Sequence, residues 1–216
     1  MRPSQTKMPV KIVGQLTALY SLTVGHEKGL EGSCSDPSVW QHLRVPWDRL
    51  FCGGIRNVVR ALVDDADGGL ATSYAIEFAG NIVGFISVQW LDATSIRFTT
   101  LIGTPWHGLG INTEAKLLIL DAFFSSGGQS ADFRVSLRNE RALRAMQILG
   151  IRATGEFVDQ RCGGQTRVMV FAVCGSDWPL VRQQMQKRLH VQTGRKNRML
   201  TIDAYSTNPS CSDSAK

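Results

Sequence analysis

The stretch TPWHGLGINTEAKLLILDAFF, residues 104–124, places a glycine-containing loop directly before a strong helix-forming run, and the strand-like segment SIRFTTLIG (residues 95–103) precedes it. Gly108 and Gly110 let the backbone approach a ligand without a Cβ atom in the way. The first N–H groups of a helix lack internal partners and lie at the positive end of its dipole, which suits a diphosphate group. The stretch therefore predicts either an ordinary tight turn or an anion-binding loop.

The loop does not match the common nucleotide-binding motifs. It contains no Gly-Lys-Ser/Thr sequence, which a Walker loop requires, and it lacks a third glycine at dinucleotide-binding spacing. A Rossmann site is therefore weakly supported. The sequence around the loop is needed to decide between a tight turn and an anion-binding loop.

The composition is that of a globular protein: of 216 residues, 43% are hydrophobic and 19% charged. This length favours one domain with a substantial core, and no apolar run approaches the roughly 20 residues of a membrane span. Five scattered cysteines without Cys-x-x-Cys spacing indicate reduced thiols and a cytoplasmic protein. The four histidines are far apart, so we expect no metal site.

The positive charge is concentrated at the C-terminal end. Residues 180–216 carry seven Lys/Arg against two Asp/Glu, so most of the net charge of +6 lies there. Such a segment can meet RNA or an acidic protein, but a solvated end explains it equally well. We expect one domain over residues 1–190 and a flexible tail over residues 191–216, basic and then serine-rich. Nucleic acid is not expected as a partner except through this tail.

The order of predicted elements indicates a mixed α/β or α+β domain. A first strand at VKIVGQL (residues 10–16) is followed by a run with helical spacing, LTALYSLTVGHEKGL (residues 16–30), and by helices starting near Asp36 and Gly54. Three strands form a meander from residue 72 to 103. A helix at about residues 112–126 follows, and strands then alternate with helices that include NERALRAMQILG and a final SDWPLVRQQMQKRL capped by Ser176.

Three segments in this order resemble the GNAT superfamily of N-acetyltransferases, and most closely the RimJ/RimL ribosomal-protein acetyltransferases. They are PWHGLGINTEAKLLILDAFF, RVSLRNERALRAMQILGIRATGEF and GGQTRVMVFAVCGSDWPLVRQQMQKRL. The resemblance extends from about residue 81 to 190. It implies a twisted, mostly antiparallel sheet with a splayed strand pair, flanked by helices, and makes residues 1–190 an N-acetyltransferase domain.

The resemblance also implies an acetyl-CoA site, with acetyl-CoA as the acetyl donor. The family holds the diphosphate on a loop of pattern Arg/Gln-x-x-Gly-x-Gly/Ala; here His107, Gly110 and Asn112 take the three defining places, and only Gly110 matches strictly. The pantetheine arm is expected along the splayed strand and at the residue that matches Asn139, which an N-cap role explains equally well. The residues implied are Thr100, Leu101, Ile102, His107, Gly108, Leu109, Gly110, Ile111, Asn112, Thr113 and Asn139.

The acid and base of the reaction are not identified by the resemblance. The serine that protonates the leaving thiolate in RimL-like enzymes corresponds to Ala142, and none of the three tyrosines is nearby in sequence. Glu156 and Asp159 are weak candidates for a base acting through water, although exposed hairpin carboxylates would look the same. Arg138, Arg141 and Arg144 could reach the 3′-phosphate or could form a solvated face.

The expected function is direct acetyl transfer to a primary amine. The acceptor is expected to be a protein N-terminus or a small-molecule amine such as an aminoglycoside or polyamine, and a homodimer is compatible with the sequence. The alternative is a catalytically degenerate CoA-binding or interaction module of the same fold.

Overall fold

The computed structural model describes residues 8–40, 54–160 and 165–206, with side chains up to residue 194. The five α-helices in this part of the chain are α1 (Glu27–Ser33), α2 (Gly54–Asp67), α3 (Ile111–Ser125), α4 (Glu140–Ile148) and α5 (Trp178–Ser206). Its strands are β1 (Lys11–Val13), β2 (Thr17–Ser21), β3 (Ala71–Phe78), β4 (Asn81–Trp90), β5 (Ser95–Ile102), β6 (Ser130–Ser136), β7 (Arg152–Asp159) and β8 (Thr166–Cys174).

The described strands form one mixed sheet in the order β1-β2-β3-β4-β5-β6-β8-β7. Every neighbouring pair is antiparallel except β5 and β6, which are parallel because α3 crosses between them. The fold class expected from the sequence, a mostly antiparallel mixed sheet flanked by helices, is therefore confirmed.

The parallel strands β5 and β6 pair over four residues only. Their register runs from Ser95 opposite Ser130 to Phe98 opposite Phe133. Beyond that point β5 continues to Ile102 and β6 to Ser136, so the two strands diverge. The Phe98 and Phe133 rings stack with their centroids 4.9 Å apart at the last pair. This is the splayed pair that the family resemblance implies.

The sheet has a separate hydrophobic cluster on each face. Phe98 and Phe133 belong to the larger cluster, which packs against α3, α4 and α5. Leu101 and its cross-strand partner Phe85 belong to the other, which packs against α1 and α2. Because side chains alternate along a strand, β5 presents Arg97, Thr99 and Leu101 to the α1/α2 face and its even-numbered residues to the α3 face.

The helical interpretation of residues 16–30 was wrong at its start. Residues Thr17–Ser21 form β2, which pairs with β1 and β3, and α1 begins only at Glu27. Thr17 and Leu19 are buried while their neighbours are less so, which is the alternation of a strand. The apolar residues of this run fit both the helical period and the strand period, and pairing with β3 selects the strand.

The carboxylate of Glu114, on the first turn of α3, holds the turn between β1 and β2. It accepts the N–H groups of Gln15, Leu16 and Thr17 at 2.7–3.1 Å and the Thr17 hydroxyl at 2.7 Å. The glutamate is only 2% exposed. A Cβ atom on Gly14 would lie 2.7 Å from the Glu114 carboxyl carbon, so glycine makes room for this contact. The edge hairpin is thereby joined to the start of α3.

The C-terminal helix is longer than the sequence indicated. It begins at Trp178, with Asp177 rather than Ser176 accepting the first N–H groups through its carbonyl, and continues past Leu189 to Ser206. It packs along α3, where Arg182 donates to Asp121 at 2.6 Å and Thr113 donates to Gln192 at 3.2 Å. The division at residue 190 remains a prediction.

Among the described residues, no helix combines the length and the apolar character that crossing a membrane would need.

Replacing Glu114 by alanine should lower the free energy of unfolding by about 3 kcal/mol, because three N–H groups and a hydroxyl lose a charged acceptor in the interior. Urea denaturation followed by circular dichroism measures the change. Glu140→Ala, which removes an exposed first-turn carboxylate from α4, should cost about 0.5 kcal/mol or less. Equal losses in the two variants would contradict the role assigned to Glu114.

Candidate functional site

A cavity of about 400 Å³ lies where β5 and β6 diverge. Its walls come from β5, the loop that follows it, the first turns of α3, the end of β6, the exposed start of α4 and the middle of α5. Because the strands separate here, the cavity reaches from the α3 face of the sheet to the face that carries Arg97. A slot of this shape can hold an extended chain between two strand edges.

The loop before α3 presents backbone N–H groups to one end of the cavity. Gly108 and Gly110 have φ angles of +81° and +90°, which favour glycine. Gly110 is the N-cap of α3 and has no side chain to accept from the first turn. Ile111, Asn112 and Thr113 follow it and line the cavity. Their N–H groups and the helix dipole make this end suitable for an anion.

Gly110 is also needed for packing. A Cβ atom there would lie 2.9 Å from Leu189 Cδ1 on α5 and 3.3 Å from Leu16 Cδ1. The substitution of a bulky residue at Gly110 would therefore disturb the fold before any ligand is bound, so it cannot report cleanly on binding.

His107 is neutral and holds the loop in place. Its Nε2 group donates to the Ile102 carbonyl at 2.8 Å, and its Nδ1 atom accepts from the Arg141 guanidinium. Partial burial makes the largest contribution and lowers the pKa of His107. The hydrogen bond to the Ile102 carbonyl opposes this shift, while Arg141 adds to it and Asp36 opposes it by a smaller amount. The positive charge at this end of the cavity therefore comes from Arg141 on α4 and not from the loop histidine.

Nine of the eleven predicted cofactor-binding residues line the cavity. The two that do not are Leu101, which is buried against α1 and α2, and Leu109, which packs on the larger core cluster. The Thr100 hydroxyl oxygen is buried and has no hydrogen-bond partner among the described residues, so it is available to a ligand in the slot. Of Arg138, Arg141 and Arg144, Arg141 lines the described cavity wall and the other two do not.

Asn139 is the N-cap of α4, with Oδ1 accepting from the Ala142 N–H at 3.1 Å. Because this bond uses only Oδ1, the Nδ2 group can still donate to a ligand. Asn139 can therefore act as the N-cap and contact the pantetheine arm at the same time. Beyond Arg141, the α4 wall of the cavity is formed by Ala142, Ala145 and Met146, whose side chains leave space and carry no hydroxyl or carboxyl group.

Glu156 and Asp159 lie on β7 and are not among the described residues that line the cavity. Glu156 accepts from Arg167 at 2.5 Å, and Asp159 is 9% exposed. A hydroxyl that the sequence analysis missed, Ser136, does line the cavity at the end of β6, and its Oγ accepts from the Arg138 N–H at 3.2 Å. No local sequence pattern indicates that a serine at the end of a strand lines a cavity, so Ser136 could not be predicted.

The described cavity wall is basic. It contains Arg97, Lys116, Arg134, Arg141 and Arg188, and no aspartate or glutamate among the described residues lines it. The described residues also contain no group of three or more side chains able to hold a metal ion. The cavity therefore suits an elongated anionic ligand with a narrow, amide-like part between the strands.

Comparisons with known proteins agree with this geometry. The family described as acetyltransferase (GNAT) domain matches residues 20–152, which is more than half of the chain. No protein of curated function matches the chain as a relative. Among solved structures, one described as an acetyltransferase is 26% identical, with 85% of this chain and 98% of that one covered and a TM-score of 0.76.

Two further structures are similar. An acetyltransferase from T. thermophilus is 27% identical over 85% of this chain and 98% of its own, with a TM-score of 0.72. RimJ from Mycobacterium smegmatis, in complex with CoA-disulfide, is 16% identical over 79% of this chain and 88% of its own, with a TM-score of 0.66. The last shares the fold, at an identity too low to assign the RimJ/RimL branch. The chain belongs to the acetyltransferase (GNAT) domain family.

Proposed function

We propose that the protein is an acetyl-CoA-dependent N-acetyltransferase that moves the acetyl group directly to a primary amine. The observation that carries the proposal is the slot between β5 and β6, which leads to the N-terminus of α3. Membership of the family supports acetyl-CoA as the acetyl donor, and the slot is a place where this chain could bind it.

The donor would lie with its diphosphate against the first turn of α3 and its pantetheine arm along β5. The N–H groups of Ile111–Thr113 and the Arg141 guanidinium supply donors and charge for the phosphates. The slot-facing backbone of Thr100–Ile102 and the Asn139 amide are suited to the arm. A backbone N–H of β5 in the slot would polarise the acetyl carbonyl.

Direct transfer needs no nucleophile on the protein. The amine nitrogen attacks the acetyl carbonyl, the C–S bond breaks, and the amine proton leaves to solvent while the thiolate is protonated. Among the described cysteines, Cys34 is buried, with a pKa raised to about 12 by burial, and Cys174 lies exposed at the end of β8. Neither lines the cavity. These free thiols also support our proposal of a cytoplasmic location.

The thiolate is a good leaving group, so positioning can provide much of the catalysis. The side chains of the α4 wall offer no general acid, because Ala142 stands where the resembling enzymes have serine. Other groups of the described cavity wall, such as the hydroxyl groups of Thr100 and Ser136, or water, could protonate the thiolate instead.

The described residues favour an acceptor that is not a polycation. The cavity wall is basic, and two acidic side chains of the N-terminal half are paired with arginines: Glu31 with Arg56 at 2.7 Å and Glu27 with Arg60 at 3.3 Å. Asp36 accepts from Thr104 at 2.7 Å. A protein N-terminus or a small monoamine fits this charge better than a polyamine or aminoglycoside.

The proposed function is tested by thiol release from acetyl-CoA with a panel of peptide N-termini and small amines. We expect release that depends on one class of amine, and no acetyl adduct on the protein by mass spectrometry after mixing with acetyl-CoA alone. CoA binding without release for any amine would favour the degenerate binding module. A stoichiometric adduct on a cysteine would instead require a two-step mechanism.

Asn112→Asp should weaken CoA binding about tenfold, because a carboxylate in the first turn of α3 repels the diphosphate by about 1–2 kcal/mol. The same change should not lower thermal stability, since a negative charge is favourable at a helix N-terminus. Isothermal titration calorimetry measures the affinity. Asn81→Asp, the same substitution at the exposed first residue of β4, away from the cavity, serves as the matched control. Equal affinities in the two variants would refute the diphosphate position.

Ala142→Ser should raise the rate of CoA release with a true acceptor several-fold or more, because a hydroxyl can protonate the leaving thiolate. General acids contribute about 10²–10⁴-fold, and less with a good leaving group. The affinity for acetyl-CoA should change little, since serine costs about 0.5 kcal/mol in a helix. Ala145→Ser, one turn further along the same cavity wall, is the control. A collapse of binding in Ala142→Ser would show that this wall does not face the acetyl end.

A further inference from the structure

Two basic side chains meet in the cavity from different helices. Lys116 comes from α3, between one and two turns after its start, and Arg188 comes from α5. The Lys116 Nζ atom lies 5.9 Å from the Phe133 ring centroid, so the ammonium is directed into the slot beneath the last β5–β6 pair. The family match ends at residue 152, and α5 lies outside it.

The positive charges on Lys116 and Arg188 are close enough to disfavour each other. Burial lowers the pKa of Lys116 to about 8, and the neighbouring Arg188 contributes to the same shift. Nearby carboxylates are engaged elsewhere: Glu114 at the β1–β2 turn, Asp121 with Arg182, and Asp132 near Arg97 at 3.8 Å. No aspartate or glutamate among the described residues lines the cavity near these two cations. An anion that binds between them would therefore stabilise both charges.

The position of α5 makes this pair continuous with the loop before α3. Leu189 contacts the position where Gly110 would carry a Cβ atom, and Gln192 accepts from the Thr113 hydroxyl. Arg188 and Gln192 therefore line the cavity beside the first turns of α3. The backbone donors of the loop and the two cations form one surface that can contact more than one phosphate.

We propose that Lys116 and Arg188 form a phosphate-binding subsite for the acyl-CoA donor, to which the C-terminal helix contributes directly. The inference rests on the proposed function, because it takes acyl-CoA as the ligand. The chemistry is that of a phosphate group, either the 3′-phosphate or one phosphate of the diphosphate, which truncated donors can distinguish.

The subsite should link binding to proton uptake. The pKa of Lys116 is lowered to about 8, and a bound phosphate favours its charged form, so binding near that pH should be accompanied by proton uptake. The other charged groups of the described wall are Arg97, Arg134, Arg141 and Arg188, which keep their charge, while the lowered pKa of His107 leaves it neutral. Affinity should therefore fall as the pH rises through about 8.

The first experiment compares Arg188→Gln with Lys187→Gln, a change of equal charge at an exposed neighbouring position of α5 that lies outside the cavity wall. Calorimetry is done with CoA, dephospho-CoA and pantetheine. Arg188→Gln should weaken CoA binding about tenfold to a hundredfold and leave pantetheine binding unchanged. Lys187→Gln should match the wild type.

The truncated ligands assign the phosphate. A loss confined to CoA identifies the 3′-phosphate, and an equal loss for CoA and dephospho-CoA identifies the diphosphate. An unchanged CoA affinity in Arg188→Gln, or an equal loss that includes pantetheine, overturns the inference while leaving the proposed function intact. Wild-type protein that does not bind CoA would overturn the proposed function itself.

The second experiment uses Lys116→Arg and Lys116→Met in two buffers of different ionisation enthalpy at about pH 8. The arginine variant should bind CoA without proton uptake and keep its affinity at about pH 9, because arginine remains charged. The methionine variant should bind weakly at every pH, and its thermal midpoint without ligand should not fall, since a disfavoured charge has been removed. Unchanged proton uptake in Lys116→Arg, or full CoA affinity in Lys116→Met, would refute the subsite.

Discussion

The early end of pairing between β5 and β6 organises the whole molecule. Once the strands part after Phe98 and Phe133, their facing backbone edges have no partner among the described strands. Groups of this kind require another hydrogen-bonding chain or water, and an amide-bearing arm is a suitable substitute for a strand. The loop before α3 follows β5 and the cap of α4 follows β6, so the divergence also places their donors around one cavity.

Much of the chain after residue 70 could be predicted from local signals. The strand alternation from Ala71 to Ile102, the Asn139 cap and the glycine loop each depend on residues close together in sequence. The structure of residues 16–30 could not be predicted in this way. Their apolar residues fit both the helical and the strand period, and pairing with β3 makes Thr17–Ser21 a strand. Glu114 was missed for a related reason: its contacts reach back 97 to 99 residues, and no local pattern marks them.

The candidate site also has a part that the sequence indicated and a part that it did not. Backbone donors do not depend on side-chain identity, so the resemblance could point to the loop around Gly110 although only that residue matches strictly, and the structure places this loop at the cavity. Acid and base groups depend on particular side chains, and here the corresponding wall is Ala142, Ala145 and Met146. The contribution of α5 could not be read from the sequence either, because it depends on how a helix beyond the family match packs against α3.

The contact between Glu114 and the β1–β2 turn has a consequence for how the protein assembles. The amides of residues 15–17 can reach their acceptor only after almost a hundred further residues have been synthesised and α3 has formed. Contacts of such separation are slow to form, and a three-residue edge strand cannot hold itself in place meanwhile. The β1–β2 segment is synthesised before α3 but is therefore expected to be among the last to dock, and until then the sheet ends at an open edge.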